Sequence, residues 1–373
     1  MIKRQLLEQL KKRLFSHKAI VLTGPRQVGK TTLIRELIGE KDYLFLDGDD
    51  VFTRSLLNEV NTQTLLEMIG NKPIVFIDEC QRIENVGLTS KIIVDQIKTT
   101  QLILSGSSSF EINEKIKEPL TGRKWPFELY PISYIEWENH IGILPAMQSL
   151  AHRLVYGFYP DVLSHQEDEE EILKTLVDSY LYKDVLQYGN IKKPDMIIKL
   201  VQALSFQVGN EVNYHEVAGL LGIDPKTVVN YLDVLEKAFV VFRLNSYSKN
   251  QRNEIKKGVK IYFYDNGVRN AVIKNFNAIE NRNDIGALWE NFLISEKLKQ
   301  NKYAMLSPET YFWRTSQQQE IDYIEIDKGQ IHAYDFKWNP GKKGKISDTF
   351  TKHYNSVNHH VNRENYREFL RED

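Results

Sequence analysis

Residues 19–38 constrain the chain more than any other stretch. Ala19-Ile20-Val21-Leu22-Thr23 is a short apolar run that predicts a buried strand, and the residues after Lys30 predict a helix stopped by Gly39. Between them, Gly24-Pro25-Arg26-Gln27-Val28-Gly29-Lys30-Thr31 spells G-x-x-x-x-G-K-T, a phosphate-binding loop in its strand-to-helix setting. Gly24 and Gly29 let the backbone turn its N–H groups inward, and the start of the helix adds its positive dipole end. Lys30 is then expected to reach the β- and γ-phosphates and the Thr31 hydroxyl to bind Mg²⁺, with Thr32 completing the contacts. A Gly-rich turn without a ligand is the competing reading. A bound nucleoside triphosphate, ATP or GTP, is the expectation.

A second motif supports the first. Tyr43-Leu44-Phe45-Leu46-Asp47 reads as a strand and residues 53–70 as a helix ended by Gly70. Pro73-Ile74-Val75-Phe76-Ile77-Asp78-Glu79 then reads as a buried parallel-type strand with two acids at its carboxyl end, where open α/β sheets bind ligands. Asp78 is expected to hold Mg²⁺ and Glu79 to orient the attacking water. A further strand, Gln101-Leu102-Ile103-Leu104, runs into Ser105-Gly106-Ser107-Ser108-Ser109, where Ser105 or Ser107 would sense the γ-phosphate; a plain Ser/Gly turn is the alternative. Arg123 is a candidate cation for a neighbouring subunit's γ-phosphate, which would require a homo-oligomer, or else a surface arginine.

The chain has 373 residues, enough for two or three domains, and a net charge of −1, so any nucleic-acid surface must be local. A single cysteine, Cys80, excludes an internal disulfide and a cysteine-rich zinc site, and fits a reducing, cytoplasmic setting. No run approaches the ~18 apolar residues of a membrane span. Leu6, Leu7, Leu10 and Leu14 make the N-terminal stretch an amphipathic helix, expected beside the nucleotide-binding sheet.

Residues 141–165, with Gly142, Pro145, Gly157 and Pro160, read as loop-rich and lead into a helical lid. The acidic run 167–171 opens a helix expected to reach about residue 187. From about 198 the pattern is helix, tight turn, helix and two strands: a helix over 213–221, Asp224-Pro225 opening the next, then strands over 240–247 and 259–265. This order predicts a winged helix-turn-helix, with Arg252, Lys256, Lys257 and Lys260 as a basic, DNA-contacting wing. Asp233 and Glu236 on the second helix count against DNA contact.

The last hundred residues carry a second constellation. Glu290 lies on an apolar face of a helix predicted over 285–300, and a half-buried carboxylate there wants a partner, metal or cation; a satisfied core carboxylate is the alternative. Two strands follow, 320–327 and 330–337, joined by Lys328-Gly329 as a two-residue hairpin. That register sets Asp322 across from Asp335 and Glu320 across from Lys337, all four on one face. A divalent metal, Mg²⁺ or Mn²⁺, would satisfy the opposed acids, with Lys337 stabilising hydroxide or phosphate charge. An exposed charged hairpin is the alternative.

Together these residues resemble one family across nearly the whole chain: prokaryotic AAA-type ATPases with a winged helix and a C-terminal domain of unknown function related to PD-(D/E)xK nucleases. Beyond the P-loop and Ile77-Asp78-Glu79-Cys80-Gln81-Arg82, the resemblance rests on several stretches in order. These are 105–109, Gly122-Arg123, Tyr180-Leu181-Tyr182-Lys183-Asp184-Val185, Tyr264-Asp265-Asn266-Gly267-Val268, Trp289-Glu290-Asn291-Phe292, and Tyr311-Phe312-Trp313-Arg314 leading to Glu320-Ile321-Asp322. The resemblance implies an α/β fold divided into an ATPase core (1–140), helical lid (141–197), winged helix (198–275) and restriction-endonuclease-like domain (276–373). It implies ATP rather than GTP, and maps nuclease chemistry onto Glu290, Asp322, Asp335 and Lys337. Asp335 stands where the family more often has Glu. The expected activity is ATP hydrolysis that positions DNA, branched or linear, for metal-dependent cleavage. The alternative is an ATP-dependent switch whose C-terminal fold holds nucleic acid or a partner protein without cutting.

Overall fold

The computed structural model describes residues 1–58, 61–107, 112, 115–179, 193–248, 258–315, 317, 319–342, 344 and 346–371. The chain divides into two compact units: Met1–Pro131 with Lys237–Phe239, and Ile132–Glu236 with Val240–Asp373.

The first unit is built on strands β1 (Ala19–Thr23), β2 (Tyr43–Asp47), β3 (Ile74–Asp78), β4 (Gln101–Gly106) and β5 (Lys124–Glu128). They form one parallel sheet in the order β2-β3-β4-β1-β5. Every residue of β1, β3 and β4 is buried, the pattern of parallel strands covered on both faces. Pro126 lies on β5 at the sheet edge, where a missing amide is tolerated. Val21, Val75, Ile77, Leu102 and Leu104 pack with Ile93 and Ile112 in the core. After β1, the helix Lys30–Ile38 buries Leu33, Ile34, Leu37 and Ile38 and ends at Gly39, φ 61°. The helix Leu6–Lys11 packs against it through its buried leucines.

The single helix expected over 53–70 is two, Val51–Asn58 and Thr62–Ile69. Asn61 starts the second by accepting the Thr64 N–H at 2.9 Å, a capping signal that the apolar periodicity hid.

In the second unit, the stretch expected to be loop-rich is mostly helical, Ile143–Tyr156 and Pro160–Ser164. Gly142 and Gly157 cap helices there, and Pro160 occupies a first helical turn. The acidic run opens the helix Glu169–Val177; residues 180–192, with Tyr180 to Val185 of the resemblance, lie outside the described residues. Helices Pro194–Phe206, Tyr214–Leu221 and Pro225–Lys237 follow, Asn213 capping the second through the His215 N–H at 2.9 Å.

The second unit's sheet contains β6 (Glu211–Val212), β7 (Val241–Ser246), β8 (Val259–Phe263), β9 (Glu309–Arg314), β10 (Glu320–Asp327), β11 (Gln330–Phe336) and β12 (Val357–Val361). Its order is β12-β11-β10-β9-β7-β8-β6. The expected boundary at 275/276 therefore does not separate two sheets. β7 pairs with β9 in parallel, Asn245 beside Tyr311 and Ser246 beside Phe312. The helix Ile285–Tyr303 runs slightly longer than expected. Before it, Asp284 accepts from Arg269 Nη1 at 2.5 Å and Arg282 Nε at 2.8 Å. The β10–β11 turn takes the expected register, Asp327 opposite Gln330, with Lys328 and Gly329 both at positive φ (48° and 84°).

Candidate functional site

The loop after β1 forms a cradle with no room for side chains at its start. Gly24 has φ 155°, and a Cβ there would lie 2.0 Å from the Leu129 carbonyl oxygen. Gln27 (φ 59°) and Gly29 (φ 91°) are both left-handed, and Gly29 leads directly into the helix. Lys30 is buried, its Nζ donating to the carbonyls of Gly24 at 2.9 Å and Pro25 at 2.8 Å. A cationic nitrogen folded onto its own loop is placed to exchange those carbonyls for anionic oxygens.

Thr31 Oγ1 donates to Asp78 Oδ2 at 2.6 Å, and Ser105 Oγ donates to Asp78 Oδ1 in a close hydrogen bond. The ends of β3 and β4 and the first turn of the helix thus meet on one carboxylate. Glu79 sits in a left-handed conformation, φ 42°. Its Oε2 accepts from Gln81 Nε2 at 2.5 Å and Ser107 Oγ at 3.4 Å. The structure therefore divides the two serines: Ser105 holds Asp78, and Ser107 holds Glu79. Cys80 is buried, and burial together with the charges of Glu79 and Asp78 pushes its thiol up. The donor set of Thr31 and Asp78, both with hydroxyl or carboxylate oxygens, fits Mg²⁺.

Arg123 lies elsewhere. Its carbonyl accepts the Ala19 N–H at 2.9 Å, at the end of β1 opposite the loop. Its side chain is part-exposed and donates to Asp95 Oδ1 at 2.7 Å. It is not part of this chain's own cradle.

The second unit gathers Glu290, Asp322, Asp335 and Lys337 with groups that sequence reasoning did not place there. Lys337 Nζ lies 2.8 Å from Asp335 Oδ1 and 3.6 Å from Asp322 Oδ2, so the two acids do share one face. Asp322 Oδ2 also accepts the Phe336 N–H at 2.8 Å. Lys260, expected on a solvated wing, is wholly buried (0 % exposed) on β8. Its Nζ lies 2.9 Å from Glu290 Oε1 and 2.6 Å from Glu320 Oε1, and Tyr262 OH donates to Glu290 Oε1 at 2.6 Å. Glu320 therefore answers Lys260, not Lys337, which lies past the end of β11.

Burial, then the charge of Glu290, pushes Asp322 up to about 7 against the pull of Lys260 and Lys337. Burial alone would lower the Lys260 ammonium, but Glu290, Asp322 and Glu320 outweigh it and hold it above its ordinary value. Among the described residues no three His, Cys, Asp or Glu are grouped to hold a metal ion. The acids expected to share a metal, Glu290, Asp322 and Asp335, meet ammonium groups instead: Lys260 lies beside Glu290, and Lys337 beside Asp322 and Asp335. Among the described residues, Asp335 Oδ2 is buried without a hydrogen-bond donor, and His360 Nδ1 lies 3.6 Å from it. It borders a cleft of about 260 Å³ lined by Lys337, Lys342, Gly344 and Asn362.

Of the expected DNA-contacting residues, Arg252, Lys256 and Lys257 lie outside the described residues. Lys260 is corrected: a lysine inside the apolar run Val259-Lys260-Ile261-Tyr262-Phe263 was a readable sign of a buried cation. Ser107's contact with Glu79 and Tyr262's contact with Glu290 had no comparable local signal.

Buried strand, glycine cradle, folded-back lysine and a Thr–Asp–Ser chain define a P-loop nucleotide site of the Walker type. Residues 16–138 match the family described as "AAA domain"; residues 147–278 and 285–369 match two domains of unknown function, DUF8612 and DUF4143. The chain is similar to an uncharacterized protein of Mycobacterium tuberculosis, 26% identical over 344 residues, covering 90% of this chain and 74% of the relative. An uncharacterized Methanocaldococcus jannaschii protein is 23% identical over 335 residues, covering 84% and 73%. Among solved structures, the Walker-type ATPase of Pyrococcus abyssi covers 73% of this chain and 96% of its own, at TM-score 0.51 and 15% identity, a likeness of fold. These findings support a P-loop ATPase family. Among the described residues, no helix is long and apolar enough to cross a membrane.

Proposed function

We propose that this chain is an ATP-binding and ATP-hydrolysing switch of the AAA type, whose C-terminal half holds DNA without cleaving it. The shared grip of Thr31 and Ser105 on Asp78 carries the first part. Residues Gly24 to Thr32 would hold the triphosphate, and Thr31 and Asp78 the Mg²⁺. That ion, when bound, neutralises phosphate charge. Lys30 exchanges loop carbonyls for phosphate oxygens. Glu79, steadied by Gln81 and Ser107, orients water. Adenine is favoured over guanine by the AAA resemblance. Arg123 would serve only across a homo-oligomer interface, after leaving Asp95.

Lys260 supports the second part: its ammonium sits among the acids that a metal would need. DNA is the favoured partner because the β7–β8 connection carries Arg252, Lys256 and Lys257. The convergence of Asp322 and Asp335 on Lys337 favours a second reading, metal-dependent nuclease action.

ATPase and DNA-cleavage assays on one preparation test both parts. The unaltered chain should hydrolyse ATP, Lys30→Ala should lose nucleotide binding, and Glu79→Gln should bind without turnover. Linear and branched DNA should bind and stay intact with Mg²⁺ or Mn²⁺. Cleavage that disappears in Asp335→Ala while ATPase activity persists would establish the second reading instead.

A further inference from the structure

Arg4 precedes the first helix and is buried, its guanidinium spanning two backbone carbonyls. Nη1 donates to Val28 O at 2.7 Å and Nη2 to Tyr130 O at 2.6 Å. Val28 lies within the phosphate loop, wholly buried, between left-handed Gln27 and Gly29. Tyr130 follows Leu129, whose carbonyl closes against Gly24. One side chain therefore ties the carboxyl end of the loop to the segment that confines its amino end.

A trans peptide is planar, so the Val28 C=O and the Gly29 N–H point in opposite directions. Holding the carbonyl toward Arg4 turns the Gly29 amide away from Arg4, toward the open side of the loop. A left-handed Gln27 is costly outside glycine, so this loop shape needs an external restraint. Guanidinium suits that role because it is planar, permanently charged and offers forked donors, whereas lysine is a point charge on a flexible stem.

We propose that Arg4 is a positioning residue for the nucleotide site, fixing the Val28–Gly29 peptide so that its N–H is presented to a bound phosphate. This rests on the reading of residues 24–31 as a triphosphate cradle. Arg4 lies outside residues 16–138, the stretch matched by the AAA domain.

The test uses the full chain, unaltered and as Arg4→Met, Arg4→Ala, Arg4→Lys, Lys30→Ala and Leu10→Ala. Titration with Mg²⁺–ADP gives Kd, and steady-state ATP hydrolysis gives KM and kcat. All three Arg4 variants should raise Kd and KM on the order of tenfold, the loss of a hydrogen bond from a charged donor, with kcat changing much less. Leu10 is buried on the adjoining helix. Leu10→Ala should lower the melting temperature yet keep Kd, which separates positioning from general loosening. Added guanidinium ion at low millimolar concentration should restore part of the affinity of Arg4→Ala and none of that of Lys30→Ala.

If the unaltered chain binds nucleotide, Lys30→Ala does not, and Arg4→Met matches the unaltered Kd, the role of Arg4 is overturned and the cradle stands. If the unaltered chain binds no nucleotide, the cradle reading falls and takes this inference with it. An equal rise in Kd for Leu10→Ala and Arg4→Met would also overturn the positioning role.

Discussion

Thr31 Oγ1 and Asp78 Oδ2 lie 2.6 Å apart although 47 positions separate them in the chain. Ser105 reaches the same carboxylate from β4 and fixes its orientation. Ser105→Ala should therefore weaken the apparent Mg²⁺ affinity in ATP hydrolysis about 10- to 100-fold, the usual cost of removing a partner from a metal-binding carboxylate. A Mg²⁺ titration of the ATPase rate measures it; an unchanged half-saturation point would remove Ser105 from the site.

Gly24→Ala puts a methyl group 2.0 Å from a backbone oxygen, with no flexible side chain to yield. The loop or the Leu129 segment has to shift. Mg²⁺–ATP should then no longer raise the melting temperature of the variant. Gly29→Ala meets no neighbouring atom within 4 Å and suffers only from its positive φ, so it should keep more affinity.

Removing the Lys260 ammonium leaves Glu290 and Glu320 without their buried counter-charge. Lys260→Met should cost about 3–5 kcal/mol of stability. Adding Glu290→Gln to that variant should recover part of the loss. Denaturant unfolding of the variants decides this: a Lys260→Met chain as stable as the unaltered one would mean that the pair contributes little.

Asp284 gives a pH signature of known sign. Burial would raise its pKa, but hydrogen bonds from Arg282 and Arg269 overcome this and hold it at about 2, below its ordinary 3.8. A depressed acid stabilises the fold above its unfolded value, and that contribution is lost as pH falls through the folded one. Between about pH 4 and pH 2 the unaltered chain should lose ~2 kcal/mol from this group. Asp284→Asn should be less stable at neutral pH and show a flatter acid limb in melting temperature.

Local chemistry was legible and long-range charge pairing was not. Gly24, Gly29, Lys30 and Asp78 announce themselves because spacing within a strand–loop–helix unit dictates their geometry. The Lys328-Gly329 turn fixed the register from Asp327–Gln330 to Tyr323–Tyr334 for the same reason, since a two-residue hairpin leaves one pairing. The burial of Lys260 was signalled by the apolar run around it, but its partners were not, because Glu290 and Glu320 arrive from other elements. Glu320 was misplaced because alternation was carried one residue beyond the end of β11. The split at Asn61 was missed because apolar spacing on either side continues one helical pattern across the cap.

Joining β7 to β9 in one ladder has a consequence for engineering. Residues from 285 onward are no portable cassette: moved to another host, they would carry β9 stripped of β7, with the Phe312 carbonyl that now accepts the Tyr247 N–H left bare. Such a raw border invites stacking of one copy on the next.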